Sequence, residues 1–322
     1  MDQIAIDAFN SEIKQRILED LGLSGKKVID LGGFESFVFA VDDKILRITH
    51  DSHRSTEQIA AELEFVNHLA DNGAAVCLPN KLPDGELLSR VDSFTACFFD
   101  RAKGRVLNLN DWSPPVIQEW GRCIGKFHQL SQTFRPANRR IDWREDENHN
   151  FVGRIPASQT AIIEIAQQLL AGLEALPVND AIYGLIHGDA HAGNFFLDKG
   201  RLTFFDFDDA IYMWFAYDIA TILFSAVLGE HVEASRQAQE GEALRFLPLF
   251  LEGYNEVFPL DQFVIREMGR FLKLRELSLY AVIHAHMDVN NLTDWYPARF
   301  MKDREQRIAG SEPYLDLDFE KF

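Results

Sequence analysis

Residues 183–207 form a β-like island inside an otherwise helical stretch, and this interruption restricts the fold more than any other feature. In GLIHGDAHAGNFFLDKGRLTFFDFDD, two apolar runs flank an Asp198-Lys199-Gly200-Arg201 turn. From Pro115 onward the remaining spacing is helical, over 115–131, 158–176, 210–228, 240–256 and 262–288. The first hundred residues have the opposite balance. Ile4, Phe9, Ile13, Ile17 and Leu21 mark an amphipathic helix over 1–23. Two β-rich runs then meet at Val41-Asp42-Asp43-Lys44, a helix covers 56–71, and strands lie around 86–91 and at 93–100. The expected class is α+β. Residues 1–100 form a small lobe with an antiparallel sheet and one internal helix, and residues 101–322 form a mainly helical lobe. A length of 322 residues suits two such lobes.

The island carries the chemistry. Asp189 and Asn194 stand five apart, the D-x-x-x-x-N spacing of a kinase catalytic loop, and Asp206 ends an apolar strand, LTFFD. Moving the γ-phosphoryl group of ATP requires neutralising charge on phosphate oxygens. Mg2+ does so, and as a hard cation it takes oxygen ligands such as a carboxylate and an amide carbonyl. A separate carboxylate must orient the acceptor hydroxyl and take its proton. Asp189 suits that role, and Asn194 and Asp206 suit the metal. A zinc site at His187, Asp189 and His191 is the competing reading. It lacks a distant fourth ligand and leaves Asn194 and Asp206 unexplained. His284 and His286, two apart on a helix, do not share a face to supply one.

Periodicity also selects an ion pair. Ile59, Glu62, Leu63, Val66 and Leu69 share one side of the 56–71 helix, so Glu62 falls on the buried face and Glu64 on the wet one. A carboxylate on an apolar face needs a partner, and Arg47 in the preceding strand is the expected one. Gly32 and Gly33 would let backbone N–H groups approach phosphate. Adenine is expected against the connector Phe98, Phe99, Asp100, Arg101 and Ala102. The many phenylalanines around the island read as core, and Asp208 and Asp209 as caps of the next helix, with indirect metal binding as the alternative.

The HGDxHxxN block with its strand-end Asp resembles the aminoglycoside phosphotransferase/choline kinase family, small-molecule relatives of protein kinases. Leu31–Phe39 is similar to that family's glycine-containing loop, ELEFVNHLADNG to its helix-to-loop segment, and Tyr217-Asp218-Ile219-Ala220 to its Y-D-[LI]-A. IDWREDE looks most like the homoserine kinase-like and stress-response kinase-like branch. The resemblance implies a bilobal, protein-kinase-like fold, ATP and Mg2+ as cofactors, and phosphate transfer to a small-molecule hydroxyl. It implies that Asp218 hydrogen-bonds backbone near the catalytic loop. One departure stands out: Arg47 occupies the place of the family's phosphate-holding Lys, and the two are not interchangeable. The alternatives are a protein Ser/Thr kinase of the stress-response type and a pseudokinase. No A-P-E-type docking segment follows Asp206, which favours small molecules.

Composition narrows the partners. With 32 Lys+Arg against 50 Asp+Glu, the net charge of −18 argues against nucleic acid and anionic membranes. The three cysteines make no C-x-x-C pair, and the first residues lack a signal-peptide pattern, so a cytoplasmic location is expected. Residues 101–144 run against the trend, with nine bases to three acids. The 135–156 insert, with Trp143, Glu145, Asp146 and Glu147, is an expected place for substrate.

Overall fold

The computed structural model describes residues 1, 3–146, 149, 151–229, 231–233 and 235–322; Glu147 lies outside the described residues. The chain divides into two compact units. The first comprises Met1–Gly104, Phe134–Arg140 and Thr203–Asp208, and the second comprises Arg105–Thr133, Ile141–Leu202 and Asp209–Phe322.

In the first unit, the opening helix is split into α1 (Gln3–Ala8) and α2 (Ser11–Asp20). Asn10 explains the break, because its side chain accepts from the N–H groups of Glu12 and Ile13, both at 3.0 Å, and so starts a new helix. Then follow β1 (Val28–Asp30), β2 (Phe37–Val41), β3 (Lys44–His50), α3 (Thr56–Asp71), β4 (Pro79–Asn80), β5 (Ser89–Val91) and β6 (Phe94–Asp100). The sheet runs β1-β2-β3-β6-β4, with β5 also on β6, and its ladders are antiparallel throughout. Val41 pairs with Lys44 across a two-residue turn in which Asp42 is left-handed (φ 55°). Ile17, Leu21, Phe39, Leu46, Ile48, Phe94 and Phe98 are buried together under α2. A capping box between Ser55 and Gln58 starts α3 at the residue its spacing predicts.

The second unit holds α4 (Pro114–Ser131), α5 (Thr160–Glu174), β7 (Tyr183–Ile186), β8 (Phe195–Asp198), the start of β9 (Arg201–Phe204), β10 (Ile211–Trp214), α6 (Phe215–Leu228) and α7 (Arg236–Val257). It continues through α8 (Gln262–Arg266), α9 (Met268–His286), α10 (Trp295–Met301) and α11 (Arg304–Ala309). Two sequence expectations change here. Residues 211–214 form a strand paired with β7 before the helix begins, because Ile-Tyr-Met-Trp is rich in β-branched and aromatic side chains and has Tyr183–Ile186 opposite it. The 262–288 helix is broken at Glu267. α4 and α7 pack so closely that a Cβ on Gly121 would lie 2.0 Å from the Phe250 carbonyl oxygen, and one on Gly253 would lie 1.9 Å from that of Gln118.

The free cysteines Cys77, Cys97 and Cys123 are all buried. Burial raises their thiol pKa values, to about 12 at Cys77 and about 11 at Cys97. Among the described residues no helix is long and apolar enough to cross a membrane.

Candidate active site

Asp189 follows β7 in a loop held from beneath by Asp218 of α6. The Asp218 carboxylate is wholly buried and accepts from the backbone N–H of His187 (3.1 Å) and of Gly188 (2.8 Å). His128 of α4 contacts the same carboxylate through Nε2 (3.2 Å) and bonds the Tyr254 hydroxyl through Nδ1 (2.8 Å). His128 is therefore a core histidine that ties α4 and α7 to the loop. His187 is fully buried, and burial lowers its pKa.

The Asp189 side chain is 19% exposed and has a different partner on each oxygen. Oδ1 accepts from Arg275 Nη2 at 2.7 Å, and Oδ2 lies 3.2 Å from His191 Nε2. Burial works to raise the Asp189 pKa, but the charges of His191 and Arg275 outweigh it and hold the carboxyl well below its usual range. Asn194 Nδ2 donates to the Asp189 carbonyl oxygen at 2.9 Å. With the amide nitrogen committed, the Asn194 Oδ1 is the remaining acceptor, the kind of oxygen that Mg2+ takes.

The residues expected to meet the nucleotide lie in the first unit. Arg47 grips Glu62 through both ends of its fork, Nη1–Oε1 at 2.8 Å and Nη2–Oε2 at 2.7 Å, and Glu62 is wholly buried. The pairing expected from helix periodicity is therefore present, and Glu62 is set on α3 opposite strand β3. Arg47 Nη1 also lies 3.8 Å from Asp208 Oδ1, and its guanidinium lies 5.2 Å from the Phe99 ring centroid. Burial disfavours the Arg47 charge, but Glu62, Cys97 and Asp208 overcome that and raise its pKa. Lys44 starts β3 and bonds Asn80. Gly33 is fixed by a close approach, because a Cβ there would lie 1.9 Å from the Ser36 carbonyl oxygen, and Gly32 has a left-handed φ of 72°. Phe98, Phe99 and Asp100 end β6, where the Asp100 N–H bonds the Leu78 carbonyl at 2.9 Å. Arg101 and Ala102 follow, with the Arg101 N–H on the Asp43 carbonyl at 3.2 Å.

Asp206 is exposed and left-handed, at φ 64°, an uncommon conformation for a residue with a side chain. The strand before it is pinned where the Cys77 N–H bonds the Phe204 carbonyl (2.8 Å) and the Phe204 N–H bonds that of Ala75 (2.9 Å). Asp208 is not a helix cap. Its buried carboxylate contacts His53, Arg47 and Arg54, and its carbonyl accepts from Arg140 and Arg54. Burial raises the Asp208 pKa, yet His53, Arg47 and Arg54 together hold it well below the usual range. Glu35, His53 and Asp208 bring ligand atoms within 4.8 Å of one another. Three surrounding guanidinium groups make that cluster unsuited to a cation.

Sequence reasoning missed His53, Arg54 and Arg275, whose local patterns carry no signal. Arg140 lay within the basic 101–144 run, the one hint available. Glu64 departs from its expected wet position, since it accepts from the N–H of Ala137 at 2.8 Å and of Asn138 at 3.2 Å. Trp143 and Asp146 are buried, at 3% and 4% exposure, and Trp143 packs against Trp214, so neither stands open as the insert reading expects. Phe195, Phe204 and Phe207 are core.

The pattern of the phosphotransferase enzyme family matches residues 28–254. The chain is 32% identical over 313 residues to amicoumacin kinase of Bacillus subtilis, covering 92% of this chain and 91% of that protein. It is 25% identical over 278 residues to the serine/threonine protein kinase RdoA of Salmonella typhimurium, covering 83% and 77%. Among solved structures, it resembles amicoumacin kinase hAmiN in complex with AMP-PNP, Ca2+ and Ami. The TM-score is 0.91 and the identity 25%, covering 100% of this chain and 99% of that one. The microcompartment-associated aminopropanol kinase shares the fold, with a TM-score of 0.70 at 21% identity over 94% and 98% of the two chains. With a small antiparallel-sheet part, a helical part and a family match running through both, the chain belongs to the phosphotransferase enzyme family, as an ATP-dependent kinase with a protein-kinase-like fold that phosphorylates a hydroxyl group of a small molecule.

Proposed function

We propose that the acceptor is amicoumacin or a compound of that kind, and that Asp189 is the group that receives its hydroxyl. The observation that carries this reading is the Asp189–Asn194 loop, with its carboxylate held ionised and its backbone anchored on Asp218. The near full-length likeness to amicoumacin kinase supports the acceptor class. In this reading Asp189 orients the hydroxyl and takes its proton as the oxygen bonds to the γ-phosphorus of ATP and ADP leaves. Asn194 and Asp206 hold Mg2+, which when bound neutralises charge on the phosphate oxygens. Gly32 and Gly33 cover the phosphates, and Arg47, fixed by Glu62, supplies positive charge toward them. Phe98, Phe99, Asp100, Arg101 and Ala102 receive the adenine.

The test is ADP release with Mg-ATP and amicoumacin, 1-amino-2-propanol, spectinomycin, homoserine or casein, with the product identified by mass spectrometry. Phosphorylated amicoumacin, lost in Asp189→Ala while ATP binding persists, is the expected result. Transfer to casein alone would move the function to protein substrates. Full turnover by Asp189→Ala would remove Asp189 from the chemistry.

A further inference from the structure

Arg275 lies in α9, remote in sequence from the Asp189 loop, yet its Nη2 is 2.7 Å from Asp189 Oδ1. Its side chain is 22% exposed. Tyr217 of α6 and Tyr296 of α10 act on the guanidinium electrostatically. The loop after β7 and helix α9 thus meet at one carboxylate.

We infer that Arg275 is a positioning residue for phosphoryl transfer, which ties down Asp189 Oδ1 so that Oδ2 is the oxygen presented to the acceptor hydroxyl. The inference rests on Asp189 being the proton acceptor. A carboxylate turns about its Cβ–Cγ bond and its two oxygens are chemically equivalent, so something must decide which one faces the substrate. The contacts on Oδ2, His191 at 3.2 Å and Asn194 at 3.4 Å, are longer than the 2.7 Å bond on Oδ1. A charge-assisted bond of that length in a largely covered place is the strong kind. Asn194 is hydrogen-bonded to the same residue. An untethered Asp189 could swing toward a dication held there and become its ligand rather than the base. A purely structural role for Arg275 is already filled by others. α9 is anchored by Phe271, Leu272, Leu274 and Leu277, which are buried, and by the Glu276–Arg304 ion pair on the next residue.

The experiment compares Arg275→Met, Arg275→Lys and Asp189→Asn in the full chain. It uses Mg-ATP with amicoumacin, with 1-amino-2-propanol, and with water as the only acceptor. Arg275→Met is expected to lower kcat by about 10- to 100-fold, the scale of a displaced catalytic group. KM for ATP should stay close to that of the parent chain, and the variant should remain folded at the assay temperature although losing the ion pair lowers its thermal midpoint. Arg275→Lys should recover part of the rate. Millimolar guanidinium should raise the rate of Arg275→Met and leave the parent and Asp189→Asn unaffected. Normal kcat in Arg275→Met, with Asp189→Asn inactive, overturns this inference alone. So does a loss in Arg275→Met that tracks unfolding and responds to neither Lys nor guanidinium. Turnover by Asp189→Asn equal to the parent overturns the proposed function and this inference with it.

Discussion

Glu62 places a carboxyl group at a position with no exposure to water, and the Arg47 fork satisfies both of its oxygens. Glu62→Ala leaves a buried guanidinium with Asp208 3.8 Å away as its nearest remaining carboxylate. A loss of about 3–5 kcal/mol is expected, read from the urea midpoint. Unchanged stability would mean that the pair is not buried in solution. Acid should weaken the fold in two stages. His187 is held below its ordinary pKa by burial, so protons favour the unfolded chain as pH drops below about 6.5. Asp189 and Asp208 are also depressed, so they contribute stability above about pH 4 and lose it below, where the unfolded carboxylates protonate first. A denaturant midpoint that stays flat between pH 7.5 and pH 3.5 would contradict this. Residues of this kind differ in how readable they are. Glu62 announces itself as a charge out of phase on an apolar stripe. Arg275 meets Asp189 only through tertiary folding across 86 positions, which no local pattern encodes.

At the scale of elements, α4 and α7 meet backbone to backbone at Gly121 and Gly253, which leave no space for a Cβ, and side-chain bonds such as His128–Tyr254 and Arg122–Glu256 flank that contact. Gly121→Ala must push the helices apart, and a loss of about 1–3 kcal/mol is expected. The fraction that stays folded should keep its ATP KM, because neither glycine touches a site residue. Calorimetry with parallel kinetics checks both halves. The α3 helix, the β2–β3 hairpin and the 198–201 turn were readable because local propensity and tertiary placement agree. Boundaries failed where a competing partner intervened. Asn10 caps a second helix inside 1–23, and β7 claims residues 211–214 as a strand although their apolar content suits a helix.

Across the whole molecule, at least four of the nine bases at 101–144 are engaged within the chain. Arg105 pairs with Asp111, Arg122 with Glu119 and Glu256, and Arg144 with Asp142, while Arg140 is buried on the Asp208 carbonyl. The compact units also disregard a single cut at residue 100, because 134–140 and 203–208 complete the first one. A fragment of residues 1–104 therefore lacks the strand that bonds Ala75 and Cys77, the Phe134 ring against Phe65, and Arg140 beside Asp208. It should show poor dispersion in a 1H–15N spectrum, and a well-folded fragment would refute this. The buried thiols have a practical consequence of another kind. Because Cys77, Cys97 and Cys123 are covered and hard to ionise, maleimide dyes should pass them by. One cysteine introduced on the surface of each unit would then take a fluorophore without background. The distance between the units could be followed during turnover in a chain that keeps every native residue of its interior.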